Sequence, residues 1–217
     1  RSGDMTMPEE INRLVTDRLS DLLLTPDLLS NENLKREGVP EEKIRFDGNI
    51  MIDTLEANRE KVSSLRIEDI VKRNILAGFK LNTEIPKEEH YALMTLHRPS
   101  NVDNPDILSP IINFIANELA TQITLLWPIH PRTLKQLEEF NLSDIIAKQP
   151  NIILLEPLGY LDMLRLNMTA KVVLTDSGGL QEECTVLGTP CLTLRWNTER
   201  PITLKEHGGA SVLVGND

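Results

Sequence analysis

The stretch Thr175-Asp176-Ser177-Gly178-Gly179-Leu180-Gln181-Glu182-Glu183 has the residue types and spacing to hold a phosphate. It follows the apolar run Val172-Val173-Leu174, so the chain is expected to pass from a buried strand through a glycine turn into a helix. Two glycines let a phosphate approach the backbone closely. The unpaired N–H groups of the helix's first turn, at the positive end of its dipole, attract an anion. Glu183 adds a second kind of contact. On a helix beginning near Gly178 it projects along the side of Leu180 and Leu187, whereas Gln181, Glu182 and Thr185 are expected to point away. A carboxylate beside a buried stripe requires hydrogen-bond donors, and ribose hydroxyls are suitable ones. A capped helix start with a charged flank is the alternative reading of the same spacing.

The elements that must position these residues follow from the apolar runs. Tyr91 to Leu96, Ile123 to Trp127, Ile152 to Leu155, Val172 to Leu174, Cys191 to Leu194 and Ser211 to Val214 are six strand candidates with helical patterns between them. Runs without polar alternation are expected where helices cover both faces of a parallel sheet, so the fold class is α/β with a Rossmann-like sheet. Ligands on such sheets bind beyond the carboxyl ends of the strands. The residues there are His97-Arg98, Pro128-Ile129-His130, Glu156-Pro157, Asp176-Ser177-Gly178 and Arg195-Trp196.

Before Tyr91, helices are expected from Pro8 to about Leu19 and from Pro26 or Asp27 to Glu37, and Ile50 to Phe79 reads as mainly helical. Leu22 to Leu24 and Ile44 to Phe46 read as short strands. A boundary near Gly48-Asn49 divides residues 1–49, too short to be a complete domain, from residues 50–217, which carry the six strand candidates.

Composition narrows the partners. The 217 residues are 40% hydrophobic, enough for a large core, and 23 Lys plus Arg against 33 Asp plus Glu leave a net charge of −10. No basic block offers a footprint for nucleic acid, so a phosphate must be captured locally, which suits a small nucleotide. Cys184 and Cys191 lack zinc-finger spacing, and no metal is expected. They read as buried, reduced thiols of a cytoplasmic protein, although a pair this close can also be bridged. Neither a membrane span nor a signal peptide is expected. The chain begins with Arg1 rather than Met, as a fragment of a longer protein would.

These residues form an ordered set that resembles the non-hydrolysing UDP-N-acetylglucosamine 2-epimerases. The resemblance rests on Arg1-Ser2-Gly3-Asp4, Pro8-Glu9-Glu10 with Asn12-Arg13, Arg36-Glu37-Gly38-Val39, Gly48-Asn49 with Ile52-Asp53, and Leu96-His97-Arg98. It continues through Pro128-Ile129-His130, Glu156-Pro157-Leu158, Thr175 to Gly179 with Gln181-Glu182-Glu183, and Thr198-Glu199-Arg200-Pro201, so it spans nearly the whole chain.

The resemblance implies a GT-B-type pair of Rossmann-like domains facing across a cleft, of which mainly the C-terminal, UDP-binding one is present. It implies an isomerase that inverts C2 of the sugar by eliminating UDP and adding it back, with no cofactor. Its partners would be UDP-N-acetylglucosamine, UDP and, in the full-length protein, a second copy of the chain. Ser177, Gly178 and Gly179 would hold the diphosphate, Glu183 the ribose and Met163, through its backbone, the uracil. His97 would lie beside the phosphates as a catalytic residue, with Arg98 and Arg200 as further UDP contacts.

Glu9 matches a catalytic carboxylate of the family, whereas an aspartate and a glutamate of that group precede the position of Arg1. The 217 residues alone are therefore expected to bind UDP without turnover. Many bacterial members have His-Arg-Arg-Glu where this chain has His97-Arg98-Pro99-Ser100. In that type the loop and a histidine matching His130 bind a second, activating substrate molecule, and Pro99-Ser100 cannot supply the same charges.

Bland readings stand beside these roles. Glu9 and Glu10 are ordinary helix-start acids, His97 a satisfied histidine at a strand end, and Arg195 and Arg200 solvated charges. Arg200 beside Glu199 at an expected helix start also hints at another anion or partner. Trp127 and Trp196 read as packing residues. A GT-B glycosyltransferase and a non-catalytic nucleotide-sugar binding module are the competing functions.

Overall fold

The computed structural model describes residues 3–5 and 7–216. Arg1 and Ser2 of the first matching block, Thr6, and Asp217 of the closing Gly215-Asn216-Asp217 lie outside the described residues.

The first quarter of the chain builds α1 (Pro8–Leu19), β1 (Leu23–Thr25), α2 (Leu28–Arg36) and β2 (Ile44–Phe46). Pro8 opens α1 where a missing N–H costs nothing, and Asp27 caps α2 by accepting the Ser30 N–H at 2.7 Å. Gly38, at φ +83°, turns the chain after α2 in a conformation that a side chain would resist. β1 and β2 pair in parallel as a two-stranded sheet of their own.

Asn49 then caps α3 (Ile50–Ser63), which leads to α4 (Ile67–Arg73). The helical reading of Ile50 to Phe79 ends early. After α4, Ile75 bridges Leu155 and the Leu76 N–H reaches the Leu154 carbonyl, so this segment runs along the sheet instead.

All six expected strands are present: β3 (Tyr91–Thr95), β4 (Thr124–Pro128), β5 (Ile152–Leu155), β6 (Val172–Thr175), β7 (Cys191–Thr193) and β8 (Ser211–Leu213). Every pairing is parallel and the order is β5-β4-β3-β6-β7-β8. Between them lie α5 (Pro99–Val102), α6 (Pro105–Phe114), α7 (Ala120–Gln122), α8 (Pro131–Glu139), α9 (Ser143–Ala147), α10 (Tyr160–Thr169) and α11 (Gly178–Leu187).

The alternation of Cβ directions sorts each strand between two cores. Ala92, Met94, Leu125, Trp127 and Ile152 pack with Leu108, Ile112 and Leu137 of α6 and α8. Tyr91, Leu93, Leu126 and Ile153 pack with Ile70, Leu166 and Leu180 of α4, α10 and α11. Helices cover both faces, which is why the strands carry no polar alternation.

One connection differs from the expected pattern. Between β7 and β8 there is no α-helix, only the 3-10 turns Pro201–Thr203 and Lys205–His207. This segment folds back over α11, where Thr198 and Thr203 donate to Gln181.

Candidate functional site

The strand order reverses at β3, whose neighbours are β4 on one side and β6 on the other. The loops after β3 and β6 therefore leave the sheet in different directions and open a crevice at its carboxyl edge. A cavity of about 450 Å³ occupies that crevice. Its walls come from Leu96 and His97 after β3, Pro128 to His130 after β4, Pro157 and Leu158 after β5, and Ser177 and Gly179 after β6, with Met163, Leu180 and Glu183 from α10 and α11. Four of the five strand-end junctions thus converge on one cleft. The fifth, Arg195-Trp196, lies elsewhere.

Of the residues expected to bind nucleotide, Ser177, Gly179, Glu183, Met163 and His97 line this cleft, and His130 joins them. The His97 and His130 rings lie 5.6 Å apart between centroids. His130 also caps α8, its Nδ1 accepting the Arg132 N–H at 3.1 Å. Glu183 reaches the cleft from the second turn of α11 and accepts a hydrogen bond from Asn167 Nδ2 at 3.4 Å. Burial pushes its carboxyl up, and the Asn167 bond offsets only part of this. An acid held this way has spare acceptor capacity for hydroxyl donors.

Gly178 is placed differently from Gly179. A Cβ on Gly178 would meet Glu199 Oε1 at 2.7 Å, so its lack of a side chain admits a neighbouring carboxylate. A Cβ on Gly179 would sit 3.3 Å from the Met51 methyl.

Arg98, Glu9 and Arg200 fall outside the cleft wall. The Arg98 guanidinium bridges Glu9 at 3.2 Å and Glu199 at 3.0 Å, tying α1 to the loop before Pro201. Glu199 accepts again from Arg195 at 2.6 Å, and both members of that pair are buried. Burial would push the Glu199 carboxyl up, but its own backbone N–H and the two arginines outweigh it and hold it down. The expectation of solvated arginines is thereby corrected for Arg195, which lies inside a charge network.

Arg200 lies 3.5 Å from Glu182 beside a second, polar cavity of about 350 Å³ lined also by Arg13 and the end of β1. It precedes a 3-10 turn rather than a helix, and its anionic neighbour comes from α11.

Two further expectations are overturned. Gln181 and Glu182 do not point away from the protein; both are buried. Gln181 accepts from Thr198 at 2.9 Å, and Glu182 accepts from Asn49 Nδ2 at 3.1 Å. Helical periodicity cannot anticipate this, because the covering segments come from residues 49 and 198–203. Trp196 is 66% exposed, lying against Gly215 rather than in a core, whereas Trp127 is fully buried as expected.

Sequence reasoning gives no role to Asp176, Asn101 or Asn167, all fully buried at the site. Asp176 Oδ2 accepts the backbone N–H groups of His97 and Arg98 at 2.9 and 2.7 Å, and Asn101 Nδ2 at 3.1 Å. Burial would push its carboxyl up, yet the His97 ring and these backbone donors outweigh it and hold it below the ordinary range. Its place in the Thr175-Asp176-Ser177 motif was the available signal; Asn167 had none.

Cys184 and Cys191 are free, buried thiols. Among the described residues no three His, Cys, Asp or Glu side chains are grouped to hold a metal, and no helix is long and apolar enough to cross a membrane.

Comparison with known proteins agrees with this architecture. The sequence profile of the UDP-N-acetylglucosamine 2-epimerase family matches residues 1–217. A UDP-N-acetylglucosamine 2-epimerase of Methanocaldococcus jannaschii is 42% identical over 218 residues, covering 100% of this chain and 56% of its own length. One of Methanococcus maripaludis is 40% identical, with the same coverages. The crystal structure of the M. jannaschii enzyme in complex with UDP-GlcNAc and UDP superposes with a TM-score of 0.84 at 40% identity, covering 100% of this chain and 56% of that one. This chain thus spans a little over half the length of the relatives it matches. With its six-stranded, Rossmann-like parallel sheet, the chain belongs to the UDP-N-acetylglucosamine 2-epimerase family.

Proposed function

We propose that the cleft between β3 and β6 binds the UDP part of UDP-N-acetylglucosamine, and that the whole protein interconverts this sugar nucleotide with UDP-N-acetylmannosamine. One observation carries the reading. The glycine turn at Ser177 to Gly179, the His97 ring and the Glu183 carboxylate converge on a single cavity at the switch point of the sheet. In this reading the start of α11 and His97 take the diphosphate, Glu183 the ribose, and the apolar wall of Leu158 and Met163 the uracil.

Elimination of UDP increases charge on the departing phosphate, and donors already aimed at it stabilise that change without reorganising. Removing the C2 proton needs a carboxylate, and Glu9 is the one in these 217 residues that the family pattern supplies. Arg98 holds Glu9 in place and carries its position to the His97 loop. We read residues 1–49 as part of a first domain, because β1 and β2 form a sheet separate from the six-stranded one. The two unpaired thiols suit a cytoplasmic protein, and the full-length chain is read as a homodimer.

The test is to follow the C2 proton of UDP-N-acetylglucosamine by NMR in heavy water with the full-length protein. Exchange with formation of the manno epimer is expected. Sugar transfer that requires an added acceptor would instead establish a glycosyltransferase, and binding without either reaction a binding module.

A further inference from the structure

Asp176 is fully buried, and its two oxygens are treated differently. Oδ2 takes three hydrogen bonds, from the backbone N–H groups of His97 and Arg98 and from Asn101. Oδ1 is equally buried and, among the described residues, has only His97 Nδ1 near it, at 2.9 Å. A buried carboxylate oxygen without a donor is costly, so the ring nitrogen facing it must carry a proton. The ring itself is 37% exposed, and Nε2 is the nitrogen that remains for the cleft.

We propose that Asp176 is the positioning residue for His97: it keeps the ring proton on Nδ1 and so commits Nε2 to the anion bound between β3 and β6. The proposal rests on the reading of this cleft as a nucleotide site. With Nδ1–H turned to the carboxylate, Nε2 is the ring atom that faces the anion, and when the ring carries both protons it donates a charge-assisted hydrogen bond to a phosphate oxygen. That bond strengthens as UDP departs with more charge, and no proton need be transferred.

The other titratable groups lining the same cleft are His130, whose ring lies 5.6 Å from that of His97, and Glu183 from α11, while the neighbouring Arg98 turns to Glu9 and Glu199. His130 is set the opposite way. Its Nδ1 accepts the Arg132 N–H, so its neutral form carries the proton on Nε2. The same carboxylate also pins the His97–Asn101 loop to the end of β6, so ring orientation and loop position have one anchor.

The tautomers can be read directly from ring 15N shifts of the labelled chain, with no ligand present. His97 is expected to be protonated at Nδ1 and His130 at Nε2. Finding the neutral His97 ring with its proton on Nε2 and Nδ1 bare in the wild-type chain would overturn the proposal, whatever any variant does.

In the second arm, Asp176→Asn is expected to mix the His97 tautomers and to weaken UDP about tenfold while leaving uridine binding unchanged. Equal losses for UDP and uridine would reduce Asp176 to a structural anchor and also overturn the assignment. A wild-type chain with the expected tautomer that fails to bind UDP would defeat the nucleotide reading of the cleft separately, because the tautomer measurement does not depend on it.

Discussion

At the residue scale, Glu183 and Asp176 are buried acids with opposite pH signatures. Asp176 has its carboxyl held down, so it stabilises the fold above the unfolded carboxylate range, and that contribution is lost as pH falls through its folded value. Glu183 has its carboxyl pushed up by burial, so its contribution is present at low pH and lost as pH rises through its folded value. Urea titrations across pH should therefore show Asp176→Asn reducing the acid-side slope. Glu183→Gln should raise Tm at pH 7, with the gain vanishing near about pH 4.

The same Glu183→Gln variant should weaken UDP and uridine by about 1.5–3 kcal/mol while sparing pyrophosphate, because the proposed contact is to ribose. Calorimetry with the three ligands decides this, and equal losses for all three would contradict the role.

At the scale of elements, α11 buries Gly178, Leu180, Gln181, Glu182 and Cys184 and turns Gly179 and Glu183 to the cleft. Its N-terminal glycines serve different neighbours, which makes a local test possible. Gly178→Ala would press a methyl against Glu199, whose carboxylate is held by Arg98 and Arg195 and cannot swing away cheaply. A loss of about 1–3 kcal/mol in unfolding free energy is expected, as for other overpacked sites. Gly159→Ala, at the start of α10 with nothing within 4 Å of its Cβ, should change stability by less than about 0.5 kcal/mol. Comparable effects of the two would mean that the Glu199 network is loose.

At the scale of the whole molecule, Arg98 joins α1 to the six-stranded unit through Glu9 and Glu199. Glu9 is half exposed, so as an ion pair it contributes little, about 0–1 kcal/mol. As a proton-transfer group in the full-length protein it matters far more. Glu9→Gln there should lower the epimerisation rate about 10²–10⁴-fold with near-normal UDP affinity. Wild-type turnover in that variant would return Glu9 to an ordinary helix-start acid. The 217 residues by themselves are expected to bind UDP without forming the epimer, and an NMR turnover assay on them checks it.

The sequence by itself determined the six strands, their parallel pairing and the cleft at their carboxyl ends. Unbroken apolar runs such as Ile152–Leu155 are stable only when covered on both faces, and a sheet covered that way presents its loops at one edge. It also singled out His97, Ser177, Gly179 and Glu183, because glycine turns and strand-end polar residues are local features of the chain.

What only the tertiary structure decided is what covers what. Gln181 and Glu182 look solvent-facing on a helical wheel, yet they are buried by segments distant in sequence. Arg98 reads as a charge at a strand end, and the two carboxylates it bridges, from Glu9 and Glu199, lie 89 and 101 positions away. Asp176 reads as one more polar residue in a turn until the β3 loop closes over it and leaves its Oδ1 facing His97. In each case a charged group's role depends on partners brought from far along the chain, and local periodicity carries no information about them.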